Sequence, residues 1–184
     1  MSTSTALMTA DELLELPRGQ HRYELINGEL KTMSPASHAH GLIAMRVGAS
    51  LAQFVWENDL GEAYAAETGF LLRTKPDTVL APDFAFISKQ RASVGRDQQK
   101  GFWSGPPDVA IEVLSPSESG PQGRKKVAEW LGSGAKQVWS INPKNETVTI
   151  YRSSGDITTF SDEQTVEADD VLPGFRIAVK EIFK

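Results

Sequence analysis

Two short apolar runs, each interrupted by an acid, constrain this chain more than any other feature. The first is Leu80-Ala81-Pro82-Asp83-Phe84-Ala85-Phe86-Ile87-Ser88, and the second is Pro107-Asp108-Val109-Ala110-Ile111-Glu112-Val113-Leu114-Ser115-Pro116-Ser117. Both are brief, rich in branched and aromatic residues, and bounded by Pro, Gly and Ser, so both are expected to be largely buried strands. Glu112 stands in the middle of its run, and Asp83 opens the other. An isolated buried carboxylate costs several kcal/mol or takes up a proton, so each of these acids needs a cation beside it.

The surrounding sequence supplies a helical and sheet framework. Thr9-Ala10-Asp11-Glu12 ahead of Leu13, Leu14 and Leu16 is a capping box, followed by Pro17 and Gly19 as a stop. Arg22–Ile26 and Glu29–Met33 alternate on either side of Asn27-Gly28, the pairing that favours a two-residue hairpin. A helix of about five turns is expected over 40–58, with Ile43, Val47, Leu51, Phe54 and Val55 on one face. Residues 62–72 read as one strand, turned back by Lys75-Pro76-Asp77 into the Asp83 strand. Residues 89–106 read as a polar loop with one helical turn, and 124–131 as a helix closed by Gly132 and Gly134. Strands are expected at 137–141, at 147–151 paired with 157–160, and after Leu172-Pro173-Gly174-Phe175. This order gives an α+β fold, a mixed sheet flanked by helices.

With 184 residues, one domain over 1–184 is the default, residues 1–8 forming a flexible tail. No run approaches 18 unbroken apolar residues and no basic, apolar leader opens the chain, so neither a membrane span nor a secretory signal is expected. The absence of cysteine excludes disulfides, thiol catalysis and cysteine-ligated zinc, and fits a cytoplasmic location. A net charge of −5 argues against a globally basic nucleic-acid binder, so such a role needs a local basic face or bound metal. Gly120-Pro121-Gln122-Gly123 lacks the spacing of a phosphate loop and no serine nucleophile elbow is present, so no organic cofactor is expected.

If the two acidic strands are neighbours, Asp83 and Glu112 can hold a hard divalent ion; oxygen ligands suit Mg²⁺ or Mn²⁺. Alternatively Asp83 is a strand-opening acid paired with a nearby base. Lys126 lies one turn before Trp130 on the inward edge of its helix, whereas Lys125 is placed to pair with Glu129 on the solvent side. Near the acids, Lys126 could orient water and offset charge on phosphate. Considered without them it is an ordinary snorkelling lysine. Lys89, Arg91, Arg96 and Lys100, followed by Phe102 and Trp103, could track a phosphate backbone or stack a base, or form a solvated loop with an anchoring aromatic.

The combination of Arg22–Leu30, Met33-Ser34-Pro35, Pro82–Ser88, Pro107–Ser117 and Leu172–Phe175 resembles the Uma-two branch of restriction-endonuclease-like proteins, within the PD-(D/E)XK nuclease superfamily. The likeness runs from about residue 9 to the end. It implies a restriction-endonuclease-like core with added terminal hairpins, and Mg²⁺- or Mn²⁺-dependent hydrolysis of DNA phosphodiesters. Asp83 matches the acid of the Pro-Asp motif, and Glu112 the first acid of the (D/E)XK motif. The backbone carbonyl of Val113 joins these two as an implied metal ligand. Leu114 stands where the superfamily has lysine, and Lys126 matches the lysine that this branch brings from the next helix. Glu24 matches a recurrent acid, implied as catalytic or as completing the metal shell; its plain alternative is an exposed hairpin residue. His40 matches an accessory position, with a helix cap as the alternative. Cutting both strands would take two sites, which makes a homodimer an expectation. Two other readings remain: a degenerate nuclease fold serving as an interaction or nucleic-acid-binding module, and a metal-free carboxylate-pair glycosidase.

Overall fold

The computed structural model describes residues 7–17, 21–95, 101–115 and 120–184. Thr9 caps helix α1 (Ala10–Leu14) through the reciprocal bonds of a capping box with Glu12. The hairpin β1 (Arg22–Ile26) and β2 (Glu29–Met33) follows, with Arg22 opposite Met33 and Ile26 opposite Glu29. Asn27 and Gly28 both take positive φ, 52° and 78°, the geometry that a two-residue turn of this hand demands. Of the expected free tail, residues 1–6 lie outside the described part. The Met8 amide donates to the Gly28 carbonyl at 2.9 Å, and a Cβ at Gly28 would stand 2.7 Å from Leu7 Cβ, so these two residues belong to the fold.

Helix α2 (His38–Glu57) is capped by Ser37 and buries Ile43, Val47, Leu51 and Val55, with Phe54 partly covered. The stretch expected as one strand over 62–72 is two, β3 (Gly61–Ala65) and β4 (Phe70–Arg73), and they lie in different sheets. Glu67-Thr68-Gly69 interrupts the run between them, and the residues of a strand do not say which sheet it joins. The run from Leu80 to Ser88 divides in the same way, into β5 (Thr78–Leu80) and β6 (Phe84–Ser88). Asp83 immediately precedes β6, at the end of the crossing between the two sheets.

Helix α3 (Lys89–Gly95) is longer than the single expected turn, and a two-residue strand β7 (Trp103–Ser104) follows where only loop was anticipated. Next come β8 (Val109–Val113) and α4 (Pro121–Gly132), which starts three residues earlier than 124 because Pro121 suits a first helical turn. Strands β9 (Gln137–Asn142), β10 (Thr147–Arg152) and β11 (Ile157–Ser161) form a meander. The end adds β12 (Thr165–Glu167), β13 (Arg176–Ala178) and α5 (Val179–Phe183), of which only β13 was expected.

The α+β class stands, with the strands distributed over more than one sheet. A six-stranded mixed sheet runs β11-β10-β9-β8-β6-β3, a five-stranded one β2-β1-β5-β4-β7, and β12 pairs with β13. On one face of the larger sheet, Ile111 and Val113 pack with α2, Trp139 and Phe175. On the other, Ala85, Ile87 and Ala110 pack with Val127 and Trp130 of α4 and with Phe70 and Leu80 of the smaller sheet. Among the described residues no helix is long and apolar enough to cross a membrane.

Candidate active site

The crossing from β5 to β6 creates the site. Leaving one sheet for the other frees three backbone positions from ladder pairing, and each finds its own solution. The Ala81 amide donates to Glu24 Oε1 at 3.1 Å, Pro82 has no N–H to satisfy, and the Asp83 amide donates to the Ile111 carbonyl at 2.9 Å. Asp83 is thereby fixed beside β8. Its Oδ2 accepts from the Val113 amide at 2.8 Å, and its Oδ1 lies 2.9 Å from His40 Nε2 in the first turn of α2. Burial works against ionisation of Asp83, but the hydrogen bond and electrostatic attraction of His40, the Val113 amide and the Lys126 ammonium outweigh it. Its carboxyl is held below the ordinary range.

Glu112 points to the α4 side of the larger sheet, the face it shares with Ala110. Lys126 and Trp130, one helical turn apart, take one carboxylate oxygen each: Lys126 Nζ is 3.0 Å from Oε2, and Trp130 Nε1 donates to Oε1 at 2.8 Å. Lys126 Nζ also stands 3.0 Å from Glu24 Oε1 on β1, so the ammonium bridges a carboxylate of each sheet. Glu24 and Glu112 are buried, as is most of Lys126, whose side chain is 18% exposed. Burial pushes Glu112 up to about 7; Lys126 pulls it back, while the charges of Glu24 and Asp83 add to the rise. Burial opposes the charge on Lys126, yet Glu112 and Glu24 together hold its pKa above the ordinary lysine value. Three carboxylates thus share one ammonium and one imidazole, and Glu112 holds its proton more tightly than an ordinary glutamate.

Glu24, His40, Asp83, Glu112 and Lys126 line one open cleft of about 1920 Å³, together with Val113, Ser140 and Lys125. The residues singled out in the sequence are therefore brought together, and Glu24 is buried rather than an exposed hairpin residue. Glu129 pairs with Arg73 of β4 at 2.8 Å rather than on the solvent side with Lys125. The basic loop supplies less: Lys89 is paired with Asp59, Arg91 with Asp108 at 3.2 Å, and Arg96 and Lys100 lie outside the described residues. Phe102 packs against Gly69, and Trp103 is tilted against Tyr64 with ring centroids 6.0 Å apart, so both anchor the fold. Trp130 was missed as a polar partner of Glu112. Its place four residues after Lys126 is the signal that could have found it.

Among the described residues no three acidic or histidine side chains converge closely enough to form a metal cage. The donor set fits Mg²⁺ or Mn²⁺ on other grounds. Asp83 and Glu112 offer hard oxygens with lone pairs beyond those already engaged, and Mg²⁺ commonly takes one or two carboxylates with water and phosphate completing its shell. The repulsion that Glu24 and Asp83 exert on Glu112 is of the kind that a divalent cation relieves.

The cleft thus gathers three acids and a helix-borne lysine from both of the larger sheets and α4. The chain belongs to the Uma2 family, described as "Putative restriction endonuclease", which matches residues 10–180. Among solved structures it is similar to one described as a "putative nuclease belonging to DUF820" from Anabaena variabilis. The TM-score is 0.80 at 23% identity, over 96% of this chain and 97% of that one, a likeness in fold. No curated protein matches it.

Proposed function

We propose that the chain is a metal-dependent endonuclease that hydrolyses phosphodiester bonds of DNA. The observation that carries this reading is the Lys126 ammonium, 3.0 Å from Glu112 in the same cleft as the fixed Asp83. Asp83, Glu112 and the Val113 carbonyl would hold Mg²⁺ or Mn²⁺, which when bound lowers the pKa of its water and neutralises phosphate charge. The residues themselves do the rest. His40 and the Val113 amide fix the Asp83 carboxylate, and Trp130 fixes one oxygen of Glu112. Lys126 places a positive charge where the phosphate gains negative charge in the transition state. In the net reaction water adds to phosphorus, the bond from phosphorus to one sugar oxygen breaks, and that oxygen takes up a proton.

The purified protein should cut or nick plasmid DNA with Mg²⁺ or Mn²⁺, and Asp83→Ala should abolish cleavage while leaving the fold intact by circular dichroism. Cleavage that survives Asp83→Ala refutes the assignment. A nuclease fold acting only as a binding module has two observations in its favour, the net charge of −5 and leucine in the motif's lysine position at Leu114. Titrating Mn²⁺ into wild type and Asp83→Ala separates the two, because only a working site binds the ion in a way that depends on Asp83.

A further inference from the structure

Glu24 differs from the other acids of the cleft in where it comes from and in what it touches. Glu112 lies on β8 of the larger sheet and Asp83 at the end of the crossing that leads into β6, whereas Glu24 lies on β1 of the smaller sheet. Its Oε1 already meets two donors, the Ala81 amide at 3.1 Å and Lys126 Nζ at 3.0 Å. The first ties Glu24 to the crossing that carries Asp83, and the second ties it to α4. Lysine is a compact charge on a flexible four-carbon stem, and one delivered from a helix needs more restraint than one on the catalytic strand. Glu112 shares its oxygens among Lys126, Trp130 and the cation of the proposed site, whereas Oε1 of Glu24 holds the Ala81 amide and Lys126.

We propose that Glu24 is a positioning residue for Lys126 and not a metal ligand: it anchors the ammonium at the cleft when Glu112 turns to the metal. This rests on the nuclease reading above. On this account the pair formed by Glu24 and Lys126 is one functional unit assembled from β1 of the smaller sheet and helix α4, and it compensates for the lysine missing at Leu114.

The test uses the full chain with Glu24→Gln, which keeps an oxygen for the Ala81 amide and removes the charge. Mn²⁺ affinity is measured by calorimetry, and cleavage of a plasmid under single-turnover and steady-state conditions. The expected result is a Kd for Mn²⁺ within about threefold of wild type, KM for DNA little changed, and kcat reduced by about tenfold to a hundredfold. Combining Glu24→Gln with Lys126→Met should be no slower than Lys126→Met alone, since residues acting as a unit are not additive. Should Glu24→Gln fail to fold, Glu24→Asp, which keeps the charge but withdraws it by one methylene, reads the same split between kcat and Kd. A loss of Mn²⁺ affinity of about tenfold or more makes Glu24 a ligand, and additive losses in the double variant, or an unchanged kcat for Glu24→Gln, show that it does not act through Lys126; each overturns the inference while leaving the nuclease reading in place. A wild type that neither binds Mn²⁺ nor cleaves DNA overturns the nuclease reading, and the inference with it.

Discussion

Replacing Lys126 with Met should destabilise the metal-free protein in a manner that depends strongly on pH. The thioether chain retains most of the packing of the lysine stem, so the change is chiefly loss of charge. It leaves Glu24 and Glu112, with side chains 7% and 11% exposed, without the ammonium that stands 3.0 Å from each. Removing one partner of a buried ionic group costs about 3–5 kcal/mol because the other charges stay buried. Glu112 sets the pH dependence. Its folded pKa, already about 7, rises further without Lys126, while its unfolded value is the ordinary one for glutamate. The penalty is therefore full above the folded value and declines as pH falls toward the unfolded one, since the folded state takes up a proton that the unfolded state lacks. Urea denaturation of wild type and Lys126→Met, with a chelator present, should show a larger difference at pH 8 than at pH 5, growing as pH rises above about 7. A difference below about 1 kcal/mol at pH 8, as for a surface pair, or one that does not change with pH, would refute the reasoning.

Asp108, 1% exposed, accepts from the Ser88 amide at 2.8 Å and is paired with Lys136 at 2.9 Å and with Arg91 at 3.2 Å. Asp108→Ala should cost about 2–3 kcal/mol by stranding that amide and both pairs. Burial opposes its ionisation, but Lys136, the Ser88 amide and Arg91 together hold its pKa below the ordinary value. The stabilisation is thus present above about pH 4 and lost below it, so wild-type and variant denaturation midpoints should converge in acid. Gly61→Ala should cost about 3 kcal/mol or more, because the new Cβ would stand 2.1 Å from the Ile87 carbonyl oxygen, a backbone atom on the paired strand β6. A thermal midpoint unchanged from wild type would contradict that packing.

How far the sequence revealed this structure depended on how local each signal was. The Thr9 capping box, the Asn27-Gly28 hairpin and the core stripe of α2 are written within a few residues, and the structure follows them. The sheet exchanges at residues 66–69 and 81–83 were not legible, since the residues of a strand do not say which sheet it joins. The burial of Glu24 depends on α4, about a hundred residues away along the chain, and no local pattern reports it. Glu112 was legible because a charge in a buried run is costly wherever the run packs, and Lys126 because its helix follows directly. Trp130 passed as plain core because an indole shows its apolar body in the sequence and its N–H only in the fold.

The central claim is that Asp83 and Glu112 share a divalent ion in the cleft that Lys126 serves. Crystals soaked in Mn²⁺ and measured at its absorption edge test this directly. The account predicts an anomalous peak about 2.0–2.3 Å from a carboxylate oxygen of each acid, lost in crystals of Asp83→Ala. A peak elsewhere, or none in a protein that cleaves DNA, would contradict it.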